Sequence, residues 1–360
     1  MAFVKASWLG MGATALLVIG PQLLAPRAAR SNSSPSPSPA MAALDRMQKL
    51  PAGLSALPEP PVPNDNPQTA LKIDLGKMLF FDTRLSRDFS LSCATCHNPD
   101  KGYSDGRPKA VGIGNKELQR HSPSVLNTAY NATQFWDGRA ASLEEQARGP
   151  IMNDSEMGMP DEKTLVSRLQ VVPEYRQKFQ QAFGGEISLV NIAKALAAFE
   201  RTLITPDSQF DRYARGDKQA LSDQQKRGLI IFFGKASCTQ CHNGANFTDN
   251  KYYSLGTQGD SSGTDPGRFA ISKDPADRGA FKTPGLRNAG IRAPYMHDGS
   301  MATLEQVIDS YDRGGGNEPK SSLLHPLDLS QDEKQDLLAF LESLNGKMPV
   351  VEKPVLPKGE

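Results

Sequence analysis

The chain has 360 residues, with 41 Lys and Arg against 40 Asp and Glu and a formal net charge of +1. Acids and bases are interspersed, which excludes the basic stripe of a nucleic-acid binder, and beyond the N-terminus no apolar run is long enough to span a bilayer. There are only four cysteines and five histidines, so their placement is informative.

Met1 to Lys5 is a short basic start, and Ala6 to Ala25 is mostly apolar, with Leu16, Leu17, Val18 and Ile19 at its centre and Pro21 breaking it. A spanning helix needs about 20 apolar residues. Residues 1–30 therefore read as a secretory signal cleaved near Ala25 or Ala29, with an uncleaved anchor as the alternative. Residues 31–67 hold the Ser/Pro run Ser31 to Ala40 and the Pro-rich run Leu57 to Pro67. They read as linker, because such composition buries too little apolar surface to offset the entropy of ordering. About 280 residues remain, room for two domains.

Leu71 to Phe81 has the apolar spacing of a helix and leads to Cys93-Ala-Thr-Cys96-His97. Asn191 to Leu203 places Ile192, Ala195, Leu196 and Phe199 on one helical face. Gln224 to Gly234 repeats the first pattern, ends in aromatics again and leads to Cys238-Thr-Gln-Cys241-His242. Leu255 to Gly267 is a loop rich in Gly and Asp; Leu304 to Tyr311 is helical, with Val307 and Ile308, and Leu337, Leu338 and Leu341 line a last helix. The expected domains are 68–205 and 206–345, followed by a tail at 346–360.

Both cysteine runs read C-x-x-C-H, the attachment signal for a c-type haem. Two thiols add to the haem vinyl groups and the next histidine ligates the iron. On a helix the cysteines fall on one face with the histidine following at once. A four-cysteine zinc site wants its two halves roughly 15–20 residues apart, far closer than these. A thioredoxin-like pair or a disulfide leaves both histidines unexplained. The expected fold is mainly α, with two cytochrome c-like domains, each carrying one covalently attached c-type haem.

Further blocks accompany the motifs: Leu79-Phe-Phe-Asp-Thr-Arg-Leu-Ser86, Ser122-Pro-Ser-Val-Leu-Asn127, Gln134-Phe-Trp-Asp-Gly-Arg-Ala140, Phe281-Lys-Thr-Pro-Gly-Leu-Arg-Asn288 and Ala293-Pro-Tyr-Met-His-Asp-Gly299. With them, residues 68–345 resemble the bacterial dihaem cytochrome c peroxidase and MauG family. The resemblance implies a peroxide-reactive haem on Cys93, Cys96 and His97 and an electron-transferring haem on Cys238, Cys241 and His242. It implies that Trp136 lies between the haems and that Gln146 and Glu156 lie over the distal face of the first. A carboxylate there moves a proton between the peroxide oxygens; the alternative is a solvated loop acid, since Asp154, Asp161 and Glu162 are nearby. Tyr311 falls where peroxidases of this family place a methionine ligand to the second iron and MauG places tyrosine. Its alternatives are simple core packing or ligation by Met296 or Met301.

The place of the family's removable histidine falls near Ile113, so the first haem is expected to be five-coordinate at rest. His121 reads as a hydrogen-bonded loop residue, and His297 as a partner of a carboxylate or haem propionate rather than of iron. The resemblance also implies a calcium ion, with the backbone carbonyls of Arg292 and Pro294 among its ligands. The implied function is a periplasmic cytochrome-c peroxidase-like oxidoreductase that reduces hydrogen peroxide with electrons from a small cytochrome c or cupredoxin. The alternative is a MauG-like oxidase that modifies a partner protein's side chain via a high-valent dihaem state; plain electron transfer is a third reading. Family members often form homodimers.

Overall fold

The computed structural model describes residues 38–257, 265–317 and 319–358. The signal or anchor expected at 1–30 lies outside them, as does part of the loop after Leu255. The described helices, in chain order, are α1 Pro39–Arg46, α2 Ala70–Phe81, α3 Cys93–Cys96, α4 Leu143–Met152, α5 Glu162–Gln170 and α6 Pro173–Phe183. Then come α7 Leu189–Glu200, α8 Gln209–Ala214, α9 Asp223–Phe233, α10 Phe269–Ser272, α11 Leu304–Asp312 and α12 Gln331–Glu342. Two three-residue strands, β1 Tyr252–Ser254 and β2 Ala280–Lys282, pair antiparallel with Tyr253 opposite Phe281. The fold is mainly helical.

The caps explain where the helices start. Thr69 accepts from the Lys72 N–H to open α2. Ser222 with Gln225 and Ser330 with Glu333 form capping boxes that open α9 and α12, each satisfying two otherwise orphaned donors. α7 ends at Glu200, three residues short of the apolar pattern, in a turn in which the Leu203 N–H returns to the Glu200 carbonyl at 2.9 Å.

Two hydrophobic cores form. The first draws on α2, α4 to α7 and the segments between them, with Leu79, Phe80, Phe179 and Phe199 at most 2% exposed. The second draws on α8, α9, α11 and α12, with Phe210, Phe232, Phe247 and Phe340 at most 1% exposed. Each is built on one crossed helix pair, and the two pairs match residue for residue. In α2, a Cβ on Gly76 would sit 1.9 Å from the Ala195 carbonyl oxygen of α7, and Phe80 packs on Phe199 with ring centroids 5.2 Å apart. In α9, a Cβ on Gly228 would sit 1.9 Å from the Asp336 carbonyl oxygen of α12, and Phe232 packs on Phe340 at 5.0 Å. Only glycine permits that backbone approach. The weak sequence repeat thus has a steric basis.

The linker expectation for residues 31–67 needs correcting over its described part. Met41 and Leu44 of α1 and Leu54 are buried, and Leu44 and Leu54 join the second core. Asp45 pairs with Lys226 at 3.0 Å, and buried Asn66 donates to Glu144 and to the Lys194 carbonyl. Sparse apolar residues suffice because each meets a ready-made surface of the folded body. The tail also packs: Met348, Val351 and Leu356 lie on the first core, and the Pro357 carbonyl accepts from Arg84 at 2.6 Å.

Candidate haem sites

Each motif folds into one tight turn. The His97 N–H donates to the Cys93 carbonyl at 2.9 Å, and the His242 N–H to the Cys238 carbonyl at 2.8 Å. The first turn is α-helical, as the spacing predicts. The second is a 3₁₀ turn over Cys238–Gln240, entered through Ser237 at φ 50°, which leaves no helical residue ahead of Cys238. All four cysteines are free thiols. Burial raises each of them, Cys96 and Cys241 to about 11 and Cys238 to about 12, and Cys93 is raised as well. Thiols held protonated in this way make poor ligands for a bare metal ion. Among the described residues no group of three or more His, Cys, Asp or Glu could hold one.

Burial lowers both His97 and His242 to about 4, so each ring is neutral at neutral pH and keeps a nitrogen lone pair. The His242 Nδ1 lies 3.0 Å from the Phe247 carbonyl oxygen. A carbonyl only accepts, so Nδ1 carries the proton and Nε2 is the free donor for iron. His97 Nδ1 is buried without a partner.

Both histidines open on one largely apolar cavity of about 300 Å³, lined also by Trp136, Gln146, Cys238, Cys241 and Tyr311. Trp136 is fixed by backbone: its Nε1–H donates to the His121 carbonyl at 2.9 Å, and its own carbonyl accepts from the Lys282 N–H at 2.8 Å. His121 is buried, with Nδ1 2.7 Å from the Arg107 carbonyl oxygen and Nε2 3.5 Å from Ser104 Oγ. The Tyr311 carbonyl accepts from the Gly314 N–H at 2.9 Å, while its phenol makes no hydrogen bond among the described residues. Burial raises its phenol, with the Cys238 and Cys241 sulfurs as the next contributors, and all three residues line the cavity. Met296 also lines the cavity; Met301 does not.

Glu156 lies outside the cavity lining, on a loop after α4. Its N–H donates to the Asn153 carbonyl at 2.9 Å, its carbonyl accepts from the buried Ile113 at 2.8 Å, and Asn153 Nδ2 donates to its Oε1 at 3.0 Å. Burial raises its carboxyl, opposed by Arg139. Its charge in turn helps push up the Cys96 thiol, which places the carboxylate near the first motif.

Three polar side chains in the cavity wall, those of Glu200, Lys282 and Arg292, escaped the sequence reading, which had expected His297 to partner a carboxylate or haem propionate. Glu200, 5% exposed at the end of α7, is raised to about 8 by burial. Lys282, 7% exposed, touches only the Thr283 carbonyl at 3.4 Å with its Nζ. The Arg292 guanidinium donates to the Gly285 carbonyl. His297 stacks on Phe281 with centroids 3.7 Å apart, and its Nε2 is buried and unpartnered. Glu200 was detectable as a lone acid ending an apolar helix; Lys282 lay inside a block read for other residues.

A family model described as di-haem cytochrome c peroxidase matches residues 70–219. The methylamine utilization protein MauG of Methylorubrum extorquens is 46% identical over 302 residues, covering 82% of this chain and 84% of that protein. The chain belongs to the dihaem cytochrome c peroxidase family. The cytochrome c551 peroxidase of Pseudomonas aeruginosa is 44% identical over 295 residues, covering 79% of this chain and 81% of that one. Among solved structures, a MauG-like protein associated with microbial copper homeostasis aligns with a TM-score of 0.75 and 33% identity, over 84% of this chain and 96% of that chain.

Membership makes the protein an oxidoreductase of the peroxidase class and implies two c-type haems. The residues present fit them. The Cys238 and Cys241 thiols and both neutral imidazoles face one largely apolar cavity, and Cys93 and Cys96 sit in the turn that ends at His97. The wall also holds His297 Nε2, buried without a partner, and the Lys282 and Arg292 side chains, each with a single backbone acceptor, where haem carboxylates would find partners. No helix of the described residues is long and apolar enough to cross a membrane.

Proposed function

We propose that this is an exported, periplasmic dihaem peroxidase built from two cytochrome c-like domains, residues 68–205 and 206–345. Hydrogen peroxide is reduced at the haem held by Cys93, Cys96 and His97, with electrons arriving through the haem held by Cys238, Cys241 and His242. A small cytochrome c or cupredoxin is the proposed donor. The matched helix pairs about Gly76 and Gly228 support the domain reading. The observation that carries the activity is the pair of C-x-x-C-H turns whose imidazoles open on one largely apolar cavity.

Held by Cys93, Cys96 and His97, the first haem would supply the redox iron chemistry for reduction of peroxide. The chain's residues handle the protons and the geometry. Asn153 occupies Glu156 Oε1, leaving Oε2 to take a proton from one peroxide oxygen and return it to the other. Such transfer contributes about 10²–10⁴-fold. Burial keeps that carboxyl nearer working pH than an ordinary glutamate. Gln146 contributes an amide donor in the cavity wall, and Trp136, tied to the Lys282 and His121 backbones, keeps a polarisable ring in the wall that also holds His97 and His242. A calcium ion would rest on the carbonyls of Arg292 and Pro294 without a cluster of acids, and no step depends on it.

Steady-state consumption of peroxide with a reduced small cytochrome c, by exported protein carrying two haems, tests this reading. Absence of turnover refutes it. One feature favours a second reading, a MauG-like oxidase acting on a partner protein: Tyr311 lining the cavity with Cys238 and Cys241. Persistence of the peroxide-induced spectrum without a donor supports that reading, and prompt decay supports the peroxidase.

A further inference from the structure

The wall of the haem cavity carries more positive charge than its own acids can balance. Lys282, Arg287 and Arg292 line it, and among the described residues Glu200 is its one acidic member. Arg287 is satisfied from outside the cavity, 2.9 Å from Asp211. Among the described residues neither Lys282 nor Arg292 makes an ion pair. Lys282 Nζ has a single long contact, to the Thr283 carbonyl at 3.4 Å, and the Arg292 guanidinium makes a single close hydrogen bond, to the Gly285 carbonyl. A buried ammonium without an anion is costly, and burial lowers Lys282 to about 8, with Arg292 adding to the fall and Asp249 opposing it. His297 Nε2 adds a buried ring nitrogen without a partner.

These groups come from the 282–297 segment, whereas the thioether anchors are Cys238 and Cys241. In a c-type haem the vinyl and propionate edges lie on opposite sides of the ring. A porphyrin anchored at the two thiols therefore presents its carboxylates away from them, toward another segment. Arg292 acts electrostatically on both His242 and Lys282, which ties this group to the second haem.

We infer that Lys282 and Arg292 form the counter-ion site for the propionates of the second haem, and that Lys282 sets that haem's reduction potential. The inference rests on the dihaem reading above. A cation beside the porphyrin favours the ferrous form, which carries one more electron, so removing it favours the ferric form. The Lys282 N–H also holds the Trp136 carbonyl, so the same residue anchors the indole and the haem edge.

The test is spectroelectrochemical titration of the two-haem protein and of its Lys282→Met and Lys282→Arg variants, with haem counted as the pyridine haemochrome. In Lys282→Met the reduction equilibrium of one haem should move about tenfold toward ferric, roughly 59 mV for one electron. Lys282→Arg should recover most of it, with two haems per chain throughout. Unchanged potentials in Lys282→Met overturn the inference while leaving the dihaem reading intact. Fewer than two haems in the unmodified chain instead overturns that reading. Should Lys282→Met fail to mature, the crystal structure of the two-haem protein decides. Nζ within hydrogen-bond distance of a propionate oxygen supports the assignment, and Nζ directed elsewhere overturns it.

Discussion

Replacing Glu200 by Gln should change how stability depends on pH. Glu200 ends α7 at 5% exposure, and its neighbour Arg201 is committed to Glu144 at 2.8 Å. Burial, with Glu144 adding to it and Arg201 opposing it, lifts the carboxyl from its ordinary 4.5 to about 8. The folded state therefore holds this proton more tightly than the unfolded chain does. The stabilisation is complete below 4.5 and is lost as pH rises through about 8. At about 1.4 kcal/mol per pH unit, the loss from 4.5 to about 8 is on the order of 5 kcal/mol. A glutamine keeps the shape and does not titrate. Urea unfolding of the two-haem protein, followed by far-UV circular dichroism near pH 5 and near pH 9, measures the difference, with equal slopes licensing comparison of midpoints. The variant should gain several kcal/mol on the parent between the two conditions, on the scale of that about 5 kcal/mol. An offset that is the same at both pH values would refute the reasoning.

Glu156→Gln should lower peroxide turnover by about 10²–10⁴-fold. It should also abolish an acid limb that the parent shows above the ordinary carboxylate value of 4.5, because Glu156 is raised and must begin deprotonated; a limb that survives in the variant would contradict the assignment. Tyr311→Phe should alter the resting spectrum of one haem and raise its potential, since an anionic phenolate ligand favours ferric iron; an unchanged spectrum would return Tyr311 to the core. Gly228→Ala puts a Cβ 1.9 Å from the Asp336 carbonyl oxygen. It should destabilise by about 1–3 kcal/mol or more where an open helix would gain up to about 1, read from the urea midpoint.

The sites were legible to differing depths. Cys93-Ala-Thr-Cys96-His97 is a local device whose chemistry lies within five consecutive residues, so spacing alone reveals it. The α2, α9, α11 and α12 patterns were equally readable. α4, α5 and α6 were not singled out from periodicity. Nothing along the chain marks Gly76 and Gly228 as required, because the carbonyls that require them belong to α7 and α12. The segment up to Pro67 looked unfoldable because its few apolar residues bury against surfaces contributed elsewhere.

What the chain alone determined was covalent and local: two thiol pairs each followed by an imidazole, and helices whose apolar faces must be buried. Tertiary structure decided which charges lose their water. Lys282 and Glu200 are unremarkable letters until folding carries them into one wall, because desolvation depends on every neighbour in space, and sequence order records only those along the chain.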